Sequence, residues 1–193
     1  MALSAVLRSL SIACLCLTSI STIAQESSQA KRSTVPLTRE QIAIYGTFLN
    51  NWQAGSKSPL NVANATDSFL PEKDELHGCM KGFPKGSRAI AIHQFPTELA
   101  DEHIRLINPT EYKVPSMNDL MNQKHDLDDA VEAAVKAGVM SLSEIVFNQD
   151  HRLAAFQYSF QCGRLCGTGG TVIYEKRNGQ WRRSKLRCGG WVS

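Results

Sequence analysis

After Gly138 the hydrophobic period of the chain shortens to two and stays there almost to the C-terminus. Side chains alternate through SLSEIVF (141–147), LAAFQYSFQ (153–161), TVIYEKR (171–177) and QWRRSKLR (180–187). That is the pattern of strands with one buried face. The connections are short. Asn148-Gln149-Asp150-His151 makes the first turn and Asn178-Gly179 the third, a dipeptide suited to two-residue hairpins because both positions tolerate positive φ. Hairpin-linked strands pair antiparallel. The C-terminal part is therefore expected to be an antiparallel β-meander of about four strands.

Before Gly138 the chain has helical character. Thr38-Arg39-Glu40-Gln41 has the form of a capping box. Ile42, Tyr45, Phe48, Leu49 and Trp52 follow at helical spacing, with Gly55 as a stop, so a helix is expected over 39–54. A second is expected in DLDDAVEAAVKAG (126–138), with an apolar face of Leu127, Ala130, Val131, Ala134 and Val135 and a stop at Gly138. Its first turn carries Asp126, Asp128 and Asp129, where the helix dipole favours negative charge. Pro71 opens a short helical stretch that ends near Gly78 or Gly82. Leu60–Leu70 shows short alternation, and strands are expected at Arg88–His93 and His103–Ile107. Residues 109–124 suggest loop and a helical turn. The fold class is α+β: N-terminal helices packed on the C-terminal meander, one domain over 38–193 after a flexible segment at 25–37.

The first residues carry an export signal. Arg8 precedes an apolar run from Leu10 to Ile20, and Thr22-Ile23-Ala24 ends it with small residues. A signal peptide over 1–24 is expected, with lipidation at Cys14 as the alternative. A secreted or periplasmic chain with no transmembrane segment after cleavage follows. Removing 1–24 leaves Cys79, Cys162, Cys166 and Cys188, an even number suited to two disulfides in an oxidising compartment.

Counting pairs outward from Asn178-Gly179 places Arg177 opposite Gln180, Glu175 opposite Arg182 as an ion pair, and Cys188 level with Gly169. Three cysteines then gather at one end of the sheet. Residues four apart in a continuous strand stand about 13 Å from each other, whereas a disulfide needs Cα atoms within roughly 4.4–6.8 Å. Cys162 and Cys166 can pair only if the chain folds back, which Gly163 and Gly167 permit. The favoured connectivity is Cys162–Cys166 with Cys79–Cys188. Two others stay open: Cys79–Cys166 with Cys162–Cys188, and Cys79–Cys162 with Cys166–Cys188.

The spacing Cys-x-x-x-Cys on a hairpin lacks the helix N-terminus that activates a redox thiol. Zinc would compete with disulfide formation for the same sulfurs. Cys-Gly-Thr-Gly-Gly lacks the Lys-Ser/Thr ending of a phosphate-binding loop. His77, His93, His103, His125 and His151 fall in no metal-ligand spacing. No catalytic residue, cofactor or metal is expected.

Charge is uneven. Residues 151–193 hold eight Lys or Arg against one Glu, while 25–150 hold twelve basic and seventeen acidic residues. The two parts attract and should share an interface. On the counted register Trp181, Arg183, Lys185 and Arg187 share one face, a candidate for holding an anionic surface or a protein partner. Nucleic acid is not the expected partner.

The C-terminal stretch resembles an uncharacterised group of bacterial exported proteins. Its carriers here are Phe147-Asn148-Gln149-Asp150, the CGxLCGxGG run from Cys162 to Gly170, and Gly179-Gln180-Trp181. The resemblance covers about 40 residues. It implies bacterial export and a sheet-ended α+β domain, and no activity. The resulting expectation is a disulfide-stapled binding or interaction module, with a pocket between the first helix and the sheet bordered by Phe156, Tyr158 and Phe160. The alternative is a small extracytoplasmic hydrolase using histidine or carboxylate residues.

Overall fold

The computed structural model describes Ser33 and residues 35–193, His125 excepted. The expected signal peptide (1–24, with Cys14), most of the 25–37 segment and His125 lie outside the described residues. Leu37, at the end of that segment, is buried in the main core.

The fold is α+β, but the sheet is mixed and larger than a four-strand meander. Helix α1 (Arg39–Gln53) leads into strand β1 (Leu60–Ala63). Short helix α2 (Lys73–His77), strand β2 (Ile104–Ile107) and the hairpin of α3 (Met117–Lys124) and α4 (Leu127–Ala137) follow. Then come β3 (Val139–Leu142), β4 (Val146–Phe147), β5 (Leu153–Gly163), β6 (Cys166–Arg177), β7 (Gln180–Arg183) and β8 (Gly190–Val192). The sheet order is β2-β1-β3-β5-β6-β7, with β4 also on β5 and β8 also on β6. Strand β1 runs parallel to both β2 and β3, whereas β3, β5, β6, β7 and β8 pair antiparallel. The N-terminal half thus supplies strands as well as helices. Strand β1 is buried at all four residues, and such a strand shows no alternation from which its parallel partners can be read.

Helix α1 has the expected start: the Gln41 N–H donates to Thr38 Oγ1 at 3.2 Å, and the Thr38 N–H donates to Gln41 Oε1 at 2.9 Å. Its stripe is core. Tyr45 and Phe48 meet Phe156 of β5 edge-on, with ring centroids 5.4 and 5.3 Å apart. In α4, however, only Ala130 and Ala134 are buried, against Leu120 of α3, while Leu127, Val131 and Val135 are exposed. Close packing of two short helices uses the small side chains, which rotates the larger ones outward. Gly138 ends α4 without a left-handed turn. Its role is space, since a Cβ there would stand 2.3 Å from the Phe160 ring.

Three further expectations are corrected. Residues 88–93 form no strand; Ala89 makes an isolated bridge to Phe69, and Gln94, just beyond, makes another to Ala65. The 141–147 strand is broken between β3 and β4. The strand from Gln180 ends at Arg183, so its partner register stops after Tyr174–Arg183. Up to that point the counted pairs hold, Arg177 with Gln180 and Glu175 with Arg182, yet the Glu175 carboxylate pairs with Arg177 at 2.5 Å rather than with Arg182. Pairing on the same edge of β6 resumes with Gly170–Gly190 and Gly169–Trp191. Trp191, not Cys188, is therefore level with Gly169. The looped-out residues between β7 and β8 bring Cys188 to Cys79.

The sulfurs pair as Cys79–Cys188 and Cys162–Cys166, with Cα separations of 5.2 and 5.1 Å. Gly163, at φ 152°, lets the chain fold back between the second pair. The first closes a loop of 109 residues. On the chain-entropy model it stabilises by about 4.7 kcal/mol, against about 2 kcal/mol for the four-residue spacing. Replacing both members of Cys79–Cys188 by serine should lower the urea-derived stability by about 2–3 kcal/mol more than the same change at Cys162–Cys166.

Candidate functional site

The pleat of β5 sorts its side chains onto two faces. Ala154, Phe156, Phe160 and Cys162 face α1 in the main core. On the other face Ala155 packs with Phe69, Met80, Phe83 and Ile173, a second core carried by the 69–83 segment. Further along that same face the chemistry turns polar and the cover ends.

Two rungs of paired residues make an open groove there. One runs Ser141–Ser159–Gly169–Trp191 across β3, β5, β6 and β8. The other runs from Asp67, bridged to Ser143, through Gln157 to Thr171. The Ser143 N–H donates to the Gln157 carbonyl, and the Gln157 N–H donates to Ser143 Oγ, which closes the middle of this rung. Glu72 and Glu75 form one wall. The groove encloses about 520 Å³. Directly opposed residues present their side chains to one face, so neither rung depends on loop placement.

Three details give the groove its character. Trp191 is 43% exposed. Its indole lies against Gly169, where a Cβ would stand 2.5 Å from Nε1, so only glycine lets the ring lie that close. Thr171 is buried, and its hydroxyl has no hydrogen-bond partner. Asp67 is exposed as a residue, yet protein atoms crowd its carboxyl group, and the resulting desolvation raises its pKa above the usual carboxylate value.

The glycine-rich run after Cys162 is accordingly a stapled turn followed by a close-approach surface. Gly169 admits the indole, and Gly170 admits the backbone of Gly189 and Gly190.

The expected site residues fall elsewhere. Trp181 is half-buried and turned toward α1: its Nε1–H donates to Glu40 Oε1 at 3.1 Å, its ring packs on Phe147, and Lys176 Nζ stands 2.6 Å from the same carboxylate oxygen. The Lys176 hydrogen bond, partly opposed by burial, holds the Glu40 pKa below its ordinary value. Opposite charge does join the two parts of the chain here. Arg183 shares the strand with Trp181, but Lys185 and Arg187 lie beyond its end, so the four do not form one strand face. Of the expected pocket, Phe156 is fully buried and Tyr158 packs between Phe48 and Trp52. Phe160 does border a second hollow, with Trp52, Leu60 and Val135.

One cluster joins a histidine to a carboxylate. His93 Nδ1 stands 2.7 Å from Glu144 Oε1, and the Thr66 hydroxyl bonds the same oxygen. Glu144 is buried, and the His93 N–H donates to Thr66 Oγ1 at 2.8 Å. These bonds tie residues 66, 93 and 144 together beside Tyr45, whose phenol is held well above its ordinary pKa by burial and by the Glu144 carboxylate. No hydroxyl or thiol among the described residues bonds the other ring nitrogen of His93, which is where a nucleophile would have to stand. No three His, Cys, Asp or Glu side chains among the described residues converge on a metal position.

The groove residues Asp67, Ser141, Gln157, Ser159, Thr171 and Trp191 were not anticipated from sequence. The available signal was small polar residues at alternate positions of neighbouring strands, where a fully covered sheet would carry apolar ones. Comparison with protein families, with curated proteins and with solved structures finds no match for this chain.

Asp67 yields a pH-dependent prediction. Its folded-state pKa is raised, so its contribution to stability is full below the unfolded value and is lost as pH rises through the folded one. Asp67→Asn should therefore stabilise the fold at pH 7, by less than about 1 kcal/mol after solvent screening. Denaturant titrations should show the gain vanishing below about pH 4.

Proposed function

We propose that this protein is an exported binding module whose ligand occupies the polar groove on the sheet face opposite α1. The paired cysteines and the apolar leader support export, because disulfides persist in oxidising compartments. No helix among the described residues is long and apolar enough to cross a membrane. The observation that carries the binding reading is the indole of Trp191, which lies on Gly169 at the side of an open groove lined with hydroxyls and carboxylates and stays half in water. An exposed aromatic with an apolar face and a polar N–H is suited to meeting a ligand.

Trp191→Ala tests this directly. If the half-exposed indole serves a ligand rather than the fold, its truncation should cost less than about 1 kcal/mol in urea unfolding. A loss of more than about 2 kcal/mol would mean that the indole braces the fold, and the reading would fail.

A second reading, hydrolysis, is favoured by Asp67. Its raised pKa suits a carboxyl that delivers a proton to a leaving group in the same groove. On that reading Asp67→Asn abolishes turnover of a bound ligand, a loss far larger than any change in its affinity. Unchanged turnover in the variant would remove Asp67 from any such chemistry.

A further inference from the structure

The groove's lining has a chemistry that selects among ligands. Its aromatic wall is Trp191, backed by Gly169 and open to solvent on its outer side. The adjoining floor offers the hydroxyls of Ser141 and Ser159 and the amide of Gln157, one N–H of which is taken by the Leu70 carbonyl at 3.5 Å. Asp67, Glu72 and Glu75 add acceptors, and among the described residues no Lys, Arg or His lines the groove.

Each feature excludes a class. An anionic ligand, whether phosphate, nucleic acid or acidic lipid, would meet three carboxylates and no cation. An apolar ligand would strip water from the hydroxyls and the amide without replacing their hydrogen bonds. A simple cation would find acceptors and an aromatic face, but it would leave unanswered the Gln157 amide N–H that does not bond Leu70 and the hydroxyl donors of Ser141 and Ser159. A neutral polyhydroxyl ring answers all of them. Its hydroxyls donate to the carboxylates and accept from the amide. Its C–H face, slightly positive, lies on the negative face of the indole. A volume of about 520 Å³ is within the usual range for a small-molecule site, about 300–1,000 Å³.

Building on the binding reading above, we propose that the ligand is a neutral oligosaccharide, with one pyranose ring stacked on Trp191 and its hydroxyls held by Ser159, Gln157 and Asp67. The rung geometry orients the site: the sugar ring sits at the β8 end, and the chain of hydroxyl contacts runs inward toward Asp67.

The test is isothermal titration of the purified mature protein with neutral hexasaccharides of glucose, N-acetylglucosamine, xylose, mannose and galactose, with the glucosamine hexamer and spermine as cationic controls. At least one neutral hexasaccharide should bind with a Kd between about 1 μM and 1 mM. Binding should alter tryptophan emission, and Trp191→Ala should weaken it at least about tenfold, with an unchanged far-UV spectrum. Ser159→Tyr, which fills the groove from its exposed floor, should weaken it comparably and covers the case in which Trp191→Ala disturbs β8.

If only the glucosamine hexamer and spermine bind, and salt abolishes that binding, the site is a cation site and the oligosaccharide assignment is overturned while the groove reading stands. If a neutral hexasaccharide binds but both variants bind it as well as the parent, the sugar sits elsewhere and the assignment is again overturned. Absence of binding by every neutral hexasaccharide up to about 10 mM overturns it too. The groove reading is then judged separately by the stability of Trp191→Ala, which requires no ligand.

Discussion

Along β5 consecutive side chains must point to opposite faces of the sheet, and the rest of the molecule is arranged around that constraint. One face sends Ala154, Phe156 and Phe160 into the core beneath α1, where full burial of a side chain the size of Phe156 stabilises by about 1.5–3 kcal/mol. The register of the whole sheet is thereby locked, because a slip of one residue would turn Phe156 outward and Gln157 inward. The opposite face is then committed as well. It is apolar at Ala155, where the 69–83 segment covers it, and polar at Gln157, where that segment ends its cover with Leu70 on the amide, and at Ser159 beyond it.

The two edges of the groove are held by different means. On one side Asp67 joins Ser143 through a backbone bridge continuing the line of β1, and the His93–Glu144–Thr66 bonds hold the neighbouring backbone. On the other, β8 is a three-residue strand at the edge of β6, too short to hold itself. It relies on the Cys79–Cys188 bond just before it and on a row of glycines that lets it approach. The four cysteines among the described residues are all paired and brace the frame. The exposed indole of Trp191 follows from the same arrangement, since the strand that carries it is anchored at one end and its opposite residue has no side chain.

Charge is distributed to match. The basic surplus of the C-terminal part is turned in one place toward α1, where Lys176 and Trp181 share the Glu40 carboxylate. The groove instead borrows its carboxylates from the N-terminal half. A chain with a net positive charge of three therefore carries an acidic groove. Net charge is a poor guide to what a cleft will accept, because the cleft's potential is set by the few groups that line it.

How much of this was legible depended on the range of the interaction. The capping box at Thr38, the Asn178-Gly179 hairpin with its pairs as far as Glu175, and the helix over 127–137 are decided by residues within a few positions of one another. The sulfur pairing was favoured on distance grounds with two other connectivities left open, and the register used beside it placed Cys188, rather than Trp191, level with Gly169. Strands near β1 and β2 were legible, but their parallel pairing, the break after Arg183 and the row Asp67–Ser143–Gln157–Thr171 were not, because each depends on segments far apart in the chain. By itself the sequence determined the two capped helices, the hairpin strands around Asn178-Gly179 and the fact that Cys162 and Cys166 can meet only across a fold-back. Only the tertiary structure decided which half of the second sheet face stays open. A period of two shows that one side of a strand is buried, but it does not name the distant segment that covers the other side or where that cover ends.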